Sequence, residues 1–187
     1  GISISRPVYP IIEWQNERVK TKKYPKSGLF LKRLMDILLS SFLLLTVMSW
    51  LFPLLALIIK LDSKGPVFFI QKRTGKNRKS FYCIKFRTMV QNKDCNRKRV
   101  QENDHRITRV GFYLRKYFID ELPQLFNVLM GSMSLVGPRP FMLRDCISDA
   151  AQISNYHKRH QMKPGITGLA QSRGYYGMLK NSKDLEN

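Results

Sequence analysis

The sequence is poor in acidic residues. It has 13 Asp and Glu against 33 Lys and Arg in 187 residues, which leaves a formal charge of +20 at pH 7. A surplus of this size argues against a cationic partner. It indicates a polyanionic one: nucleic acid, anionic lipid headgroups or phosphorylated substrates.

Cysteine is also scarce. Cys83, Cys95 and Cys146 lack the close pair spacing of a zinc site, and an odd number argues against a complete disulfide framework. The simplest interpretation is a reduced chain that faces the cytosol. The sequence begins at Gly1 without a signal-peptide pattern, so we expect it to be a piece of a longer protein. We expect residues 1–30 to be a linker from such a protein and residues 31–187 to form one domain.

One long stretch has no charge at all. Residues 37–59 form an apolar run of 23 residues, which passes the length needed for a helix embedded in a bilayer, about 18 to 20 residues. A domain of this size could hardly bury such a helix in its own core. The run therefore predicts a membrane helix.

The flanks of this run bear on its topology. Lys and Arg are enriched on the cytoplasmic side of a spanning helix, yet here both flanks are basic. Pro53 lies inside the run, where it removes a backbone hydrogen bond, and Ser49 is placed to satisfy a freed backbone group. These features favour a re-entrant helix that breaks at Pro53 and returns to the same membrane face. The alternative is a spanning helix with a kink.

The remainder predicts a compact head. Residues 67–73 and 80–86 are aromatic and β-branched stretches that flank a turn at 74–77, which predicts a β-hairpin. Residues 110–118 mix apolar and basic residues in the manner of a helix lying on a membrane surface. The turn-rich residues 163–168 predict a loop.

An adjacent acidic pair, Asp120 and Glu121, opens the stretch "DELPQLFN". Asp120 suits a helix N-cap and Pro123 suits the first turn. Leu122, Leu125, Phe126 and Leu129 then share the apolar face of the predicted helix, with Asp120, Gln124 and Asn127 on another face. Taken alone, acids at a helix N-terminus need no function, because they complement the helix dipole.

The neighbours of the pair give it a chemical meaning. Arg115 precedes it by one helical turn and a half, and Arg139 follows between Pro138 and Pro140, which stiffen the backbone. Arginine binds phosphate oxygens bidentately. A carboxylate in such surroundings could attack phosphorus, because nearby cations depress its pKa, and a second carboxylate could hold Mg²⁺. This arrangement predicts phosphoryl transfer. In "KFRTM", residues 85–89, the side chains of Lys85 and Arg87 could contact either headgroups or substrate.

From Lys32 to Gln171 the chain resembles the bacterial sugar transferases, also called monotopic phosphoglycosyl transferases. The motifs that carry the resemblance are "KRLMDILLS", "GPVFFIQKRTG", "KFRTM", "DHRITRVGFYLRK", "DELPQLFNVLMGSMSLVGPRP" and "KPGITGLAQ". The string from Asp120 to Pro140 is long and ordered, and therefore specific.

The resemblance implies a membrane-bound enzyme that transfers a phospho-sugar from a UDP-sugar to undecaprenyl phosphate, releases UMP and initiates glycan assembly for exopolysaccharide or lipopolysaccharide. It places the enzyme on the cytoplasmic face of the bacterial inner membrane. It implies that Asp120 is the nucleophile, that Glu121 is associated with Mg²⁺, and that Arg115 contacts phosphate. Arg139, with Pro138 and Pro140, is implied to contact phosphate or nucleotide, and Pro53 to take the place of the family's helix break.

Two departures from the family pattern are visible. Phe52 precedes Pro53 where the family usually has Ser, and Ser132 stands where Asp is common. The expected fold is mainly α with a small β-hairpin: a membrane-embedded re-entrant broken helix, interfacial helices and a cytoplasmic catalytic head. Expected partners are the two substrates and anionic membrane lipids, not nucleic acid, and the large apolar surface is compatible with a homo-oligomer. The alternative function is a membrane-anchored polybasic module that binds anionic lipid or nucleic acid without catalysis.

Overall fold

The computed structural model describes residues 25–91, 104–142, 146 and 156–174. Residues 1–24 of the expected linker and Cys95 lie outside the described residues, whereas Cys83 and Cys146 are buried free thiols. The described part is mostly helical, with two small sheets. Its helices and strands are α1 (Lys26–Leu43), α2 (Ser49–Asp62), β1 (Phe68–Thr74), β2 (Ser80–Phe86), α3 (Arg109–Lys116), α4 (Gln124–Leu129), β3 (Ser134–Val136), β4 (Gly165–Thr167) and α5 (Leu169–Ser172).

The apolar run forms one long helix. Helices α1 and α2 are joined by a π-helical segment, Leu44–Met48, so the helix continues from Lys26 to Asp62. It extends beyond the predicted 37–59 at both ends, because polar residues there hydrogen-bond to the rest of the chain. It is long and apolar enough to cross a membrane, and 17% of its most apolar window is buried. Such an exposed apolar surface indicates membrane association.

The helix is not interrupted at Pro53 itself, and the re-entrant topology stays a prediction. Pro53 lies inside α2, and the departure from α-helical geometry comes before it, at Leu44–Met48. A π-helical segment changes the hydrogen-bond register, which is one way to fit a residue without an N–H. Within the described residues the Ser49 hydroxyl makes no hydrogen bond. The Thr46 hydroxyl instead donates to the Phe42 carbonyl at 2.7 Å.

Phe52, the departure from the family pattern, has a packing role. Its ring lies 5.1 Å from the Phe86 ring and 5.8 Å from the Phe126 ring, between centroids. With Leu55 and Ile59 it belongs to the core cluster between the long helix and the head. The aromatic side chain therefore fastens the middle of the helix to the hairpin and to α4.

Polar contacts fasten both ends of the long helix to the same body. Near its start, Arg33 donates to the carbonyls of Val128 and Leu129 at 2.6 and 2.8 Å. Near its end, Asp62 accepts from the Val110 N–H at 3.1 Å, at the start of α3. Arg87 donates to the carbonyls at the C-terminus of α2, Ile59 and Ser63, at 3.1 and 2.6 Å. Arg87 therefore satisfies orphan carbonyls of a helix end.

The β-hairpin prediction is confirmed. Strands β1 and β2 pair in antiparallel register from Phe68 opposite Phe86 to Thr74 opposite Ser80. Thr74 belongs to the strand and not to the turn, because it pairs with Ser80 of β2, and its N–H donates to the Phe141 carbonyl at 3.0 Å. Residues 75–79 connect the strands, with Asn77 at φ 53° and Arg78 at φ 61°.

The loop predicted at 163–168 is partly a strand. Residues Gly165–Thr167 form β4, which pairs in parallel with β3. A Cβ on Gly165 would lie 2.1 Å from the backbone nitrogen of Gly137, so only glycine allows this close approach. The pairing brings the loop beside the Pro138–Pro140 segment.

Helix α4 begins later than predicted and is buried on more than its predicted apolar face. It starts at Gln124 after Pro123, so Asp120 is not its N-cap. On the predicted apolar face Leu125 is buried, Leu122 and Leu129 are half-buried and Phe126 is exposed. Gln124 and Asn127 on the polar face are buried as well. The Asn127 side chain accepts from the Ile84 N–H at 3.0 Å and donates to the Tyr82 carbonyl at 2.7 Å, which joins α4 to β2. These hydrogen bonds compensate the burial of the Asn127 side chain.

Helix α3 carries the predicted amphipathic pattern. The Thr108 hydroxyl accepts from the Gly111 N–H at 2.9 Å and caps its start. Phe112, Tyr113 and Tyr117 are exposed, whereas Leu114 is buried in the core. The helix thus presents aromatic side chains outward beside basic ones, as an interfacial helix does.

Candidate active site

A single 3₁₀ turn, Ile119–Glu121, presents the acidic pair. Phe118 precedes it with φ 57°, a left-handed conformation that reverses the chain after α3. Asp120 and Glu121 retain 8% and 6% of their accessible surface. Two adjacent acids are therefore withdrawn from water, and charged groups at such burial need partners.

The carboxylate of Glu121 pairs with two cationic side chains. Its Oε1 accepts from Lys85 Nζ at 2.6 Å and from Arg139 Nη2 at 2.8 Å, and its Oε2 accepts from Arg139 Nη1 at 3.3 Å. Burial alone would raise the pKa of Glu121, but the charges of Lys85 and Arg139 and their hydrogen bonds hold it below its usual value. Glu121 is therefore ionised, and we call its carboxylate clamped because Lys85 and Arg139 hold it in place.

Asp120 differs from its neighbour. Among the described residues no Lys or Arg nitrogen lies within ion-pair distance of its carboxylate. Burial raises the pKa of Asp120, and Glu121 adds to this effect, while Lys85, Arg115 and Arg139 oppose it. The expectation of a depressed pKa at Asp120 is therefore wrong, because the cations are engaged by Glu121 and burial outweighs their field.

Arg115 lies on the Asp120 side of the pair. Its Nε donates to the Thr88 hydroxyl at 2.7 Å, which fixes the guanidinium plane. Burial lowers the pKa of Arg115, and the negative charge of Asp120 is the largest effect that opposes it. The structure thus brings together Arg115, Asp120, Glu121 and Arg139, as the sequence predicted.

The Pro138–Pro140 segment forms the other wall. The Pro138 carbonyl accepts from Gly165 N–H at 3.0 Å, and the Pro140 carbonyl accepts from Arg73 at 3.4 Å. Arg159 holds the segment by donating to the Arg139 carbonyl at 2.7 Å. A small, open cleft adjoins it, lined by Thr74, Gly75, Pro138, Arg139, Phe141, Arg159, His160, Met162 and Pro164. Arg139 therefore borders both Glu121 and the cleft.

The oxygens available to a metal are few. Within the described ranges no three His, Cys, Asp or Glu side chains cluster. Mg²⁺ commonly uses one or two carboxylates and completes its shell with phosphate oxygens and water. Glu121 Oε2 has one long contact, 3.3 Å to Arg139, so it retains capacity for a cation. The donor set fits Mg²⁺ shared with a bound phosphate.

Sequence reasoning left Lys85 unassigned and gave no role to Thr88 or to Asn127. Lys85 pairs with an acid 36 positions away, a separation that no local pattern reveals. A visible signal was a lysine inside the otherwise apolar strand "YCIKF". A charge in a half-buried strand needs a partner, and the acids of this chain are few.

Comparison with known families settles what kind of chain this is. The family model described as "Bacterial sugar transferase" matches residues 27–186. The chain belongs to the bacterial sugar transferase family. The match covers every element of the described fold, from the long helix to α5.

The names of curated relatives describe sugar-phosphate transfer or exopolysaccharide production. The chain is 44% identical over 156 residues to the "UDP-glucose:undecaprenyl-phosphate glucose-1-phosphate transferase" of Klebsiella pneumoniae, covering 83% of this chain and 33% of that relative. It is 48% identical over 155 residues to "Exopolysaccharide production protein PSS" of Rhizobium leguminosarum bv. phaseoli, covering 80% of this chain and 76% of that relative.

A third relative differs in its sugar. The "UDP-N-acetylgalactosamine-undecaprenyl-phosphate N-acetylgalactosaminephosphotransferase" of Aeromonas hydrophila is 46% identical over 143 residues, covering 76% of this chain and 34% of that relative. The chain thus spans about a third of several of these relatives. Similar identity to relatives named for different sugars means that overall identity does not select the sugar.

Proposed function

We propose that this chain transfers a phospho-sugar from a UDP-sugar to undecaprenyl phosphate and releases UMP. Family membership and the relatives' names support the reaction class. The observation that carries the proposal is the difference between the two acids, a clamped Glu121 beside an unclamped Asp120 amid cations.

The first step is attack by an Asp120 carboxylate oxygen on the phosphorus attached to the sugar. A carboxylate–phosphorus bond forms, the bond from that phosphorus to the bridging oxygen breaks, and the electron pair leaves with UMP. Asp120 suits this role because no described cation pairs with its oxygens, and burial keeps water away from the acyl phosphate.

The second step regenerates the acid. A phosphate oxygen of undecaprenyl phosphate attacks the same phosphorus, a new pyrophosphate bond forms, and the Asp120 carboxylate leaves. Arg115 and Arg139 stabilise the charge on the phosphate oxygens in both steps, because both lie close enough to Asp120 for their charge to act on it.

We include Mg²⁺ in this proposal. Glu121 would hold it, and the ion would neutralise charge on the phosphate oxygens of the substrate. Lys85 and Arg139 keep Glu121 ionised for that purpose.

We propose a re-entrant topology on the cytoplasmic face of the inner membrane. The start of the long helix is tied to α4 through Arg33, and its end is tied to α3 through Asp62. Because both ends bind one catalytic head, both lie on one side of the bilayer. The basic flanks identify that side as cytoplasmic.

The test is UMP release from a panel of UDP-sugars by detergent-solubilised or nanodisc protein with Mg²⁺. Wild type is compared with Asp120→Asn, with and without undecaprenyl phosphate. UMP release that needs both Asp120 and the lipid phosphate is the expected result, and the panel would name the sugar.

Other outcomes would overturn the proposal. UMP release that lipid phosphate does not accelerate would indicate a phosphohydrolase. No turnover with any sugar, in this chain and in a longer one, would leave a membrane-anchored polybasic binding module. That module would bind polyanions at least as well after Asp120 and Glu121 are neutralised.

A further inference from the structure

A second cationic cluster lies away from the acidic pair, at the other end of α4. Arg33 binds the carbonyls of Val128 and Leu129 at the end of this helix, whereas Asp120 and Glu121 precede its start. Lys163 reaches the same place from the loop before β4. The two cations come from positions 130 residues apart in the chain.

The geometry leaves a small space between the two cations. Gly131 has φ +83°, and a Cβ on it would lie 3.5 Å from Arg33 Nη2 and 3.6 Å from Lys163 Nζ. Both nitrogens therefore border one space, which stays open because Gly131 has no side chain. Arg33 is held rigid by its two carbonyl contacts and has N–H groups left to donate.

The net charge around Lys163 is positive, which favours the binding of an anion. The charged groups around Lys163 are Arg33, Asp36, Lys76 and Lys32, of which one is acidic. Asp36 is already engaged: it accepts from the Ser134 hydroxyl at 3.1 Å and from the Leu135 N–H at 3.0 Å, and it pairs with Lys32 at 3.7 Å. Burial and the neighbouring cations lower the pKa of Lys163, so its charged form gains from an added anion.

The surroundings of the cluster identify the source of that anion. Leu29, Phe30 and Leu34 on α1 are exposed large apolar side chains within four positions of Arg33 in the sequence, and exposed Met130 directly precedes Gly131. A cation pair at the edge of a lipid-facing surface lies at the depth of headgroups. A phosphate group at the depth of the headgroups belongs to a lipid with acyl chains.

We propose that Arg33 and Lys163 bind the phosphodiester of an anionic membrane phospholipid, in a site separate from the acidic pair. The lipid joins the start of the long helix to the loop before β4 and the end of α4. This proposal depends on the membrane location of the long helix and does not depend on the transfer reaction. Lipid binding is therefore measured without a nucleotide sugar.

Lys163→Gln is the decisive variant, because within the described residues Lys163 makes no hydrogen bond or ion pair that folding would lose. Lys163→Arg keeps the charge. Lys72→Gln removes the same charge from an exposed position on β1 and is the matched control. Native mass spectrometry of the detergent-solubilised protein, titrated with phosphatidylglycerol or phosphatidylcholine, gives the affinity of each.

We expect wild type to prefer phosphatidylglycerol and Lys163→Gln to weaken its binding about fivefold. Lys163→Arg and Lys72→Gln should stay close to wild type. Equal binding of both lipids by wild type, or equal binding by Lys163→Gln and Lys72→Gln, would overturn the proposal.

Inorganic phosphate separates the two sources of the anion. We expect millimolar phosphate, at constant ionic strength, to leave phosphatidylglycerol bound to wild type, because acyl contacts add to the affinity. If phosphate displaces the lipid and its effect disappears in Lys163→Gln, the site binds free phosphate and the lipid assignment is wrong.

Discussion

The two sides of the acidic pair are built differently. On the Glu121 side, Lys85 of β2 and Arg139 close on one carboxylate at 2.6 and 2.8 Å. On the Asp120 side, Arg115 of α3 is fixed by Thr88 and does not contact the acid directly. The pKa of Glu121 is lowered and that of Asp120 is raised, although burial is nearly the same.

This contrast separates two tasks. A carboxylate whose electron pairs are largely engaged by two cations is a poor nucleophile, and it serves to hold cationic groups in place. A buried carboxylate without such bonds keeps its electron pairs for phosphorus. The two adjacent carboxylates thus take different roles because their surroundings differ.

The largest effect should come from Asp120→Asn. The amide keeps the size of the side chain but removes the attacking oxygen's charge, so we expect turnover to fall by more than about a thousandfold. UMP release measures this. Glu121→Gln should keep the covalent first step in part. If it abolishes that step while Asp120→Asn does not, the roles are reversed.

Lys85→Gln breaks the clamp on the Glu121 side. Glu121 would remain buried with Arg139 alone, which should cost about 2 kcal/mol in the free energy of unfolding. Thermal or urea unfolding in detergent measures the change, with Lys72→Gln on the neighbouring strand as control. Equal stability of the two variants would mean that Lys85 does not stabilise buried Glu121.

Thr88→Val tests the Asp120 side. It keeps the volume of the side chain but removes the hydrogen bond that fixes Arg115, so we expect kcat/KM to fall about tenfold. Thr88→Ser keeps the hydroxyl and should retain activity. A loss confined to stability, with kcat/KM unchanged, would contradict a positioning role.

Asp62→Ala should have the smallest effect. It removes an acceptor for the Val110 N–H at the start of α3, the helix that carries Arg115. We expect a loss of about 1 kcal/mol in unfolding free energy. Asp62→Asn retains an acceptor oxygen and should lose less; an equal loss in both would point to the charge instead of the hydrogen bond.

Local patterns in the sequence were enough to predict the hairpin, the long apolar helix and the amphipathic α3. They also predicted that Arg115, Arg139 and the acidic pair would meet, since these lie within 25 positions. Each of these features depends on periodicity, turn residues or short separation.

Other features depend on contacts that a single pattern does not contain. The parallel pairing of β3 and β4 involves strands of three residues each, too short for periodicity. The Lys85–Glu121 pair and the burial of Asn127 against β2 depend on tertiary packing. The raised pKa of Asp120 depends on how deeply its carboxylate is buried. The neighbouring charges alone had predicted a lowered pKa.

The most direct test is the covalent step itself. Protein incubated with a UDP-sugar and Mg²⁺, without undecaprenyl phosphate, is quenched and analysed by intact-protein and peptide mass spectrometry. A phospho-sugar adduct on Asp120 in wild type, absent in Asp120→Asn and consumed on adding undecaprenyl phosphate, is the predicted result. An adduct on Glu121, or turnover by Asp120→Asn at the wild-type rate, would contradict the assignment of the two acids.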